Sequence, residues 1–254
     1  EGLHTETGPG VFEAALRHTD ALTAADNAFL FKTAAKEIAN DHGLKISFMA
    51  KWNEDYPGCG AHFHQSLMKE GGNVFSDFNG GLSDLAKNYL GGLMKLTKSW
   101  LPIYAPTVNS YKRMVPGLWA PVNVTWGQEN RTSTVRCIGL DHPPSCHFEF
   151  RLPGADCNPY LVIAANIASG LAGIENRWEP GEPVDGNAYD ESKNSETLSS
   201  NLAAANAVFA DAHDTWAYLS EDFCRHYLVT REWEWREYQK AVTDWELKRY
   251  LEII

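Results

Sequence analysis

The sequence predicts an α+β fold, in which a curved, mainly antiparallel sheet carries the polar motifs and helices pack behind it. Short strand-like runs are separated by Gly and Pro turns, while longer stretches repeat apolar residues at helical spacing. No internal repeat or low-complexity segment is evident. With 254 residues and 44% hydrophobic content, the chain can build a large core, and we expect one domain over residues 1–254.

The first part of the chain predicts a strand–turn–strand unit, a helix and two further strands. Gly8-Pro-Gly10 separates the two strands of residues 2–16. Apolar residues recur at helical spacing over residues 23–40, with Thr23 as the N-cap. Strands are expected at 44–51 and 60–68, with a turn at 71–73.

The remainder predicts helices around three more strands. The strands are expected at 122–126, 132–138 and 147–151. Helices are expected at 83–100, 159–174, 195–212 and 232–246, and the stretch 233–250 is amphipathic and aromatic. Residues 179–194 are rich in Pro, Gly, Asp and Glu, which predicts an exposed loop rather than a domain boundary.

Composition excludes several classes of protein. A net charge of -11 argues against nonspecific nucleic-acid binding, although it leaves room for a local basic pocket. No apolar run reaches the roughly 18 residues of a membrane span. The five cysteines form no CxxC pair, which favours reduced thiols in a cytoplasmic protein. The N-terminus has no basic n-region and no apolar h-region, so it is not a signal peptide. Because the chain starts at Glu1 and not at Met, directly in motif-bearing sequence, we expect a fragment that lacks its N-terminal part.

Arginines are concentrated between residues 109 and 153. The four are Arg113, Arg131, Arg136 and Arg151. They accompany Glu149 among Pro and Gly turns in an otherwise acidic protein. Since the guanidinium fork matches phosphate and carboxylate, the sequence predicts an anion site here.

Three glutamates and one histidine fall on predicted strands: Glu6, Glu13, His62 and Glu149. Alternation along a strand places His62, His64 and Ser66 on one face, and Glu149 with Arg151 on another. Oxygen ligands with one imidazole suit Mg²⁺ or Mn²⁺ better than zinc. His62 and His64 could also be a zinc pair, but a third His or Cys ligand at suitable spacing is missing.

Five motifs occur in the order typical of one family. They are Glu6-Thr-Gly-Pro-Gly-Val-Phe-Glu13, Gly58-Cys-Gly-Ala-His-Phe-His-Gln-Ser66, Asn109-Ser-Tyr-Lys-Arg113, Asn130-Arg131 with Arg136, and Glu149-Phe-Arg-Leu-Pro153 with Asn158-Pro-Tyr160. Over residues 4–175 the chain therefore resembles the catalytic domain of the glutamine synthetase family. The helical tail carries little specific signal.

The resemblance implies ATP and two or three Mg²⁺ or Mn²⁺ ions as cofactors. Glu6 and Glu13 would ligate the ion on the acceptor side. His62 and Glu149 would ligate the ion that bridges the ATP phosphates. Metal ions and arginines would then offset the repulsion between phosphate and carboxylate.

The resemblance also assigns the substrates. Glutamate would lie along Gly58, with its carboxylates held by Arg113 and Arg151. Its γ-carboxylate would become an acyl phosphate that an amine displaces, in a site that excludes water.

The resemblance also assigns residues to the nucleotide site. Arg131 and Arg136 would bind the transferring phosphoryl group and the ATP phosphates. His64 and Ser66 would line the nucleotide site. Arg131 and Arg113 are the catalytic arginines that this mapping implies.

Three positions depart from the family pattern. Ammonia-using members carry a glutamate where this chain has Trp119, and an indole cannot take a proton from ammonium. Pro57 replaces an asparagine before Gly58, which puts main-chain contacts to glutamate in doubt. His147 replaces an arginine, which puts one phosphate contact in doubt.

Trp119 leaves two interpretations. The amine pocket is remade for an organic amine (an alkylamine, an arylamine, ethanolamine or a polyamine), or Trp119 is a packing variant of an ammonia-using enzyme. We favour the first, a glutamate–amine ligase of nitrogen and amine metabolism. A third hypothesis is a non-catalytic homologue, against which the intact carboxylates and arginines argue.

The resemblance further implies a homo-oligomeric ring, often two stacked hexamers. Active sites would lie between subunits, each completed by a small N-terminal β-domain. That domain and the first catalytic strands are absent from this chain, so the fragment alone should be inactive.

Overall fold

A computed structural model describes residues 2–190 and 196–253. The strands, in chain order, are β1 (Gly2–Thr5), β2 (Phe12–Ala15), β3 (Phe63–Gln65), β4 (Met68–Lys69), β5 (Gly72–Asn73), β6 (Asn123–Val124), β7 (Trp126–Gln128), β8 (Val135–Ile138), β9 (His147–Phe150) and β10 (Glu196–Thr197). The helices are α1 (Ala21–Asp41), α2 (Asp84–Thr97), α3 (Leu101–Tyr104), α4 (Ser110–Arg113), α5 (Pro159–Asn176), α6 (Leu202–Asp211), α7 (Glu221–Lys240) and α8 (Asp244–Tyr250).

The main sheet has the strand order β3-β9-β8-β7. Its pairs are antiparallel except β7 and β8, which run parallel. Three two-stranded sheets join β1 to β2, β4 to β5 and β6 to β10. The predicted architecture of antiparallel sheets with helices is confirmed, with one parallel pair as an addition.

The two faces of the main sheet differ in chemistry, because strand residues alternate between faces. Phe148, Phe150 and Val135 are fully buried on one face. On the other face His64, Glu149 and Arg136 lie in one row, since Glu149 pairs with His64 on β3 and with Arg136 on β8. The core therefore lies on one side of the sheet and the polar residues on the other.

Helices α2 and α5 pack behind the sheet at very close range. A β-carbon on Gly92 would lie 1.9 Å from the carbonyl oxygen of Ser169, and one on Gly170 would lie 2.0 Å from the ring of Tyr89. These positions need glycine, because any larger side chain would force the helices apart. The ring of Phe148 packs on this helix pair through Phe75.

The loop after α5 is fastened to β7 and to the turn between β7 and β8. The Asn130 side-chain amide donates to the carbonyls of Val184 at 3.0 Å and Gly186 at 2.8 Å. The amide of Val184 donates to the carbonyl of Trp126. Residues 179–190 contain neither helix nor strand, as predicted, and residues 191–194 of the predicted loop lie outside the described residues.

The prediction of a strand at residues 44–51 is wrong. This segment has no regular secondary structure, and no strand of the described residues pairs with it. Its backbone forms isolated hydrogen bonds instead. The backbone amide and carbonyl of Lys51 bond to the side chain of Asn109 at 2.9 and 2.8 Å. Leu44 and Ile46 are exposed, so their alternation reflects a surface and not a buried ladder. The strand predicted at 60–68 is also shorter and divides into β3 and β4.

Helix boundaries differ from prediction where a different side chain caps the helix. Asp20, and not Thr23, caps α1 by accepting from the Thr23 amide. Asn201 caps α6, so the helix predicted from residue 195 begins at Leu202 after the short β10. Residue 195 itself lies outside the described residues.

The helix predicted at 232–246 is two helices. The first, α7, begins already at Glu221, where Ser220 is the N-cap. It ends at Lys240, and Thr243 then starts α8 with a capping box to Glu246. The helices predicted at 83–100 and 159–174 are confirmed as α2 and α5, with small shifts at their ends.

Among residues 2–190 and 196–253, no helix combines the length and apolar character that crossing a bilayer requires.

Candidate active site

Glu149 is the centre of a charged network on the polar face of the sheet. Its Oε1 atom lies 2.6 Å from Nη1 of Arg151 and 3.0 Å from Nδ1 of His62. Its Oε2 atom lies 3.3 Å from Nη1 of Arg136, whose guanidinium also pairs with Glu129. Glu149 is 4% exposed, so this carboxylate is buried among three cationic or polar partners.

These contacts set the protonation states of His62 and Glu149. Burial lowers the pKa of His62 to about 4, against the effect of its hydrogen bond to Glu149. Burial would raise the pKa of Glu149, but the hydrogen bond from His62 and the charge of Arg151 outweigh it and hold that pKa at about 2. At neutral pH His62 is therefore uncharged and donates from Nδ1, which leaves a lone pair on Nε2.

A second carboxylate cluster lies on the β1–β2 hairpin. His4 pairs directly with Glu13 across the two strands, and Glu6 follows His4 by two residues. One ligand atom from each of the three residues lies within 4.8 Å of the others. Burial, together with the neighbouring Glu6, raises the pKa of Glu13, and the charge of Glu149 acts in the same direction.

Arg113 forms the floor of the site. It is 3% exposed and donates to the carbonyls of Leu152 at 2.8 Å and Arg151 at 3.2 Å. Burial and, to a smaller extent, the nearby charge of Arg151 lower the pKa of Arg113 to about 10. Gly58 packs directly against this side chain.

Gly60 leaves Nε2 of His62 unobstructed. A β-carbon at residue 60 would lie 2.9 Å from His62 Nε2 and 2.8 Å from an Arg113 nitrogen. The glycines of this segment are thus required by the close approach of two functional side chains. His62 itself precedes β3 by one residue, although we predicted it within a strand.

His64 and Ser66 lie at the outer side of the polar face. His64 Nδ1 is 3.0 Å from Nε2 of His147, the residue that departs from the family arginine. Burial lowers the pKa of His64, while the charge of Glu149 opposes this effect. Ser66 follows β3 and is exposed.

Two predicted residues lie apart from the Glu149 network. Arg131 is exposed in the turn between β7 and β8. Trp119 is 56% exposed in the turn after α4, and its φ of 62° is in the left-handed region. Tyr189 lies near both parts of the site: burial raises its pKa, and the charges of Arg151 and Arg113 and the Trp119 backbone oppose that rise.

Sequence reasoning missed three residues. His4 could have been found, because it lies two residues before Glu6, and alternate residues of an extended segment point to the same side. Glu129 binds Arg136 from the turn after β7, and Tyr189 comes from the loop after α5. Neither has a local sequence signal, since both reach the site through the fold.

The donor sets fit hard divalent cations. Burial, and then the neighbouring Glu6, raise the pKa of Glu13, and a bound cation would favour the charged form of both carboxylates. Glu149 and the free Nε2 of His62 offer a second set with one imidazole. Carboxylate-rich sites of this composition suit Mg²⁺ or Mn²⁺.

Three relatives of known activity resemble the chain over almost its whole length. It is 46% identical to Type-1 glutamine synthetase 2 of Dictyostelium discoideum, with 100% of this chain and 50% of the relative aligned. It is 40% identical to glutamate–isopropylamine ligase of Pseudomonas sp, covering 100% of this chain and 56% of that protein. It is 39% identical to gamma-glutamylethanolamide synthetase GlnA4 of Streptomyces coelicolor, covering 99% of this chain and 54% of that protein. The chain thus spans about half the length of these relatives.

Solved structures of GmaS share the fold. The complex of GmaS with ADP superposes with a TM-score of 0.89 at 34% identity, over 99% of this chain and 60% of GmaS. GmaS without ligand superposes with a TM-score of 0.81 at 35% identity, over 92% of this chain and 54% of GmaS. A family model described as glutamine synthetase, catalytic domain, matches residues 1–250. The chain therefore belongs to the glutamine synthetase family of ligases, whose members generally use ATP, divalent metal ions, glutamate and either ammonia or an amine.

Proposed function

We propose that the protein is an ATP-dependent ligase that forms a γ-glutamyl amide from glutamate and an organic amine, through γ-glutamyl phosphate. The observation that carries this proposal is Trp119. Its exposed indole stands where ammonia-using members carry a glutamate. Burial raises the pKa of Tyr189, and the charges of Arg151 and Arg113, the arginines assigned to glutamate, oppose that rise together with the Trp119 backbone. An indole can pack against the carbon part of an amine, but it cannot accept the ammonium proton.

The assignment of roles follows the charge distribution of the site. Glutamate would lie along Gly58, with its carboxylates held by Arg113 and Arg151. Buried guanidinium groups bind carboxylates well because both partners are already removed from water. Arg113 is well suited, since two carbonyls already fix its orientation.

The metal and nucleotide roles follow in the same way. Glu6 and Glu13 would hold one ion, and His62 and Glu149 another; such ions neutralise charge on phosphate oxygens. Arg136 would bind the ATP phosphates from its place beside Glu149. Arg131, His64 and Ser66 would complete the nucleotide and phosphoryl site.

We assign Arg131 to the stabilisation of negative charge that develops during the reaction. Its side chain is exposed in the turn between β7 and β8, so it can move without disturbing the core. Asn130, which precedes it, is held by two carbonyls of the loop after α5. We expect this anchored turn to present Arg131 to a developing negative charge.

We also propose that residues 1–254 form a catalytic domain completed in a homo-oligomeric ring, such as a dodecamer, by an N-terminal β-domain of a neighbouring subunit. This rests on the family resemblance. Analytical ultracentrifugation of the intact protein tests it: a ring sediments at many times the monomer mass, and a monomer would contradict the proposal. A cytoplasmic location is proposed on the same basis.

The second candidate is an ammonia-using glutamine synthetase. It is favoured by the 46% identity to a glutamine synthetase. In that case Trp119 would be a packing residue, and another carboxylate would take the ammonium proton.

One experiment separates the candidates. ATP-dependent phosphate release by the intact protein is measured with glutamate and, in turn, ammonium, methylamine, isopropylamine, ethanolamine, putrescine and aniline. Strong preference for one organic amine supports the amine ligase. Preference for ammonium would establish the second candidate, and no release with any acceptor would contradict both.

A further inference from the structure

His64 and His147 form a hydrogen-bonded pair whose polarity can be deduced. Nδ1 of His147 lies 2.5 Å from the carbonyl oxygen of Ser145. A carbonyl oxygen can only accept, so Nδ1 of His147 carries a hydrogen. A neutral imidazole carries one hydrogen, so in the neutral form of His147 the Nε2 atom is an acceptor.

The same reasoning extends to His64. Its Nδ1 atom lies 3.0 Å from Nε2 of His147, and a hydrogen bond at this distance needs one donor. Since His147 accepts, His64 must donate from Nδ1. The ring centroids are 5.1 Å apart with the planes tilted by 40°, which is a hydrogen-bonded arrangement and not a stack.

The remaining nitrogen of His64 therefore holds a lone pair on the polar side of the sheet. His64 lies opposite Glu149 in the β3–β9 register, in the row that continues to Arg136. A neutral His64 with this tautomer cannot donate to a phosphate oxygen. It can accept from a hydroxyl or amino group.

We propose that His147 is a positioning residue that fixes His64 in the Nδ1–H tautomer, so that His64 offers Nε2 as a hydrogen-bond acceptor to the bound nucleotide. The part concerning the nucleotide rests on the proposed function, whereas the tautomer does not. An arginine at position 147 has only donors, so it would impose the opposite tautomer on His64.

The test compares a side chain that can still accept a hydrogen bond with one that can only donate. Long-range ¹H–¹⁵N correlation spectra of the intact protein, with His64 assigned by mutation, are recorded at pH 8, where an imidazole of ordinary pKa is neutral. In the wild type and in His147→Gln, whose amide oxygen can accept, His64 should carry its hydrogen on Nδ1. In His147→Arg the hydrogen should move to Nε2.

His226 supplies the control, because it is an exposed histidine on α7. His226→Gln and His226→Arg should leave the His64 spectrum unchanged. A wild-type His64 with hydrogen on Nε2, or an unchanged tautomer in His147→Arg, would overturn the proposal.

Kinetics test the link to the nucleotide. His147→Leu removes the acceptor, so KM for ATP should rise about fivefold, the effect of one neutral hydrogen bond, with less change in kcat. His147→Gln should restore KM. An unchanged KM in His147→Leu would refute the acceptor role. An absence of any ligase activity would refute the proposed function, while the spectra would still decide the tautomer.

Discussion

Gly58 lies directly against Arg113: a β-carbon at residue 58 would stand 2.6 Å from the Cγ atom of Arg113 and 2.3 Å from the carbonyl oxygen of Ala50. The buried guanidinium can thus reach its carbonyl partners only because residue 58 has no side chain. Position 58 is therefore a sensitive point at which to test the role of Arg113.

Gly58→Ala should raise KM for glutamate by about tenfold or more, because the added carbon must displace Arg113 or the backbone at Ala50. Overpacking should also lower stability by about 1–3 kcal/mol. Gly2→Ala is the control, since nothing lies within 4 Å of its added carbon. Unchanged glutamate kinetics in Gly58→Ala would contradict the role of Arg113.

Glu149→Gln should reduce phosphate release by about 100-fold or more while the protein remains folded. The amide keeps the shape of the side chain, but it cannot balance Arg151 and Arg136 or bind a cation strongly. Circular dichroism and Mn²⁺ titration measure the fold and the binding. Glu129→Gln, an exposed partner of Arg136, should have a smaller effect. Retained activity in Glu149→Gln would refute the metal assignment.

Stability of the metal-free protein should fall as pH is lowered from about 6.5 towards 4, partly because of His62. Its folded pKa is about 4, below the ordinary value of 6.5. Within this window the unfolded state binds a proton that the folded state does not, so acid favours unfolding. Urea unfolding in EDTA measures the effect, and His62→Asn should flatten this part of the curve. His226→Asn should follow the wild type; parallel curves for both variants would exclude His62 as the source.

Trp119→Glu should raise the use of ammonium relative to the preferred organic amine by about tenfold or more, the effect of one hydrogen bond to a charged group. Phosphate release with each acceptor measures the ratio. Trp245→Glu, at an exposed tryptophan of α8, controls for added charge. A ratio that does not change would show that Trp119 does not select the acceptor.

Alternation made part of the site predictable from sequence. Glu149 and Arg151 were expected on one strand face, and the structure joins them at 2.6 Å. Helices α2 and α5 were also predictable, because their apolar patterns are long and their N-caps, Ser83 and Asn158, are of standard type.

Other features depend on contacts that sequence spacing does not encode. The segment 44–51 has an apolar strand pattern, but a strand also needs a partner, and its backbone bonds to Asn109 instead. Tyr189 reaches Trp119 and the arginines because Asn130 holds its loop. The capping of α1 by Asp20 was missed because Thr23, three residues later, is an equally acceptable cap by type.

The two-sided chemistry of β9 has a genetic consequence. Phe148 and Phe150 belong to the core, while His147, Glu149 and Arg151 face the polar side. Adjacent codons should therefore give two distinct classes of missense allele. Lesions at 148 and 150 should be temperature-sensitive or lower protein abundance, whereas lesions at 147 and 149 should give normal abundance of an impaired enzyme. In the homo-oligomeric ring that we propose, subunits of the second class should assemble with wild-type subunits and act in a dominant-negative manner.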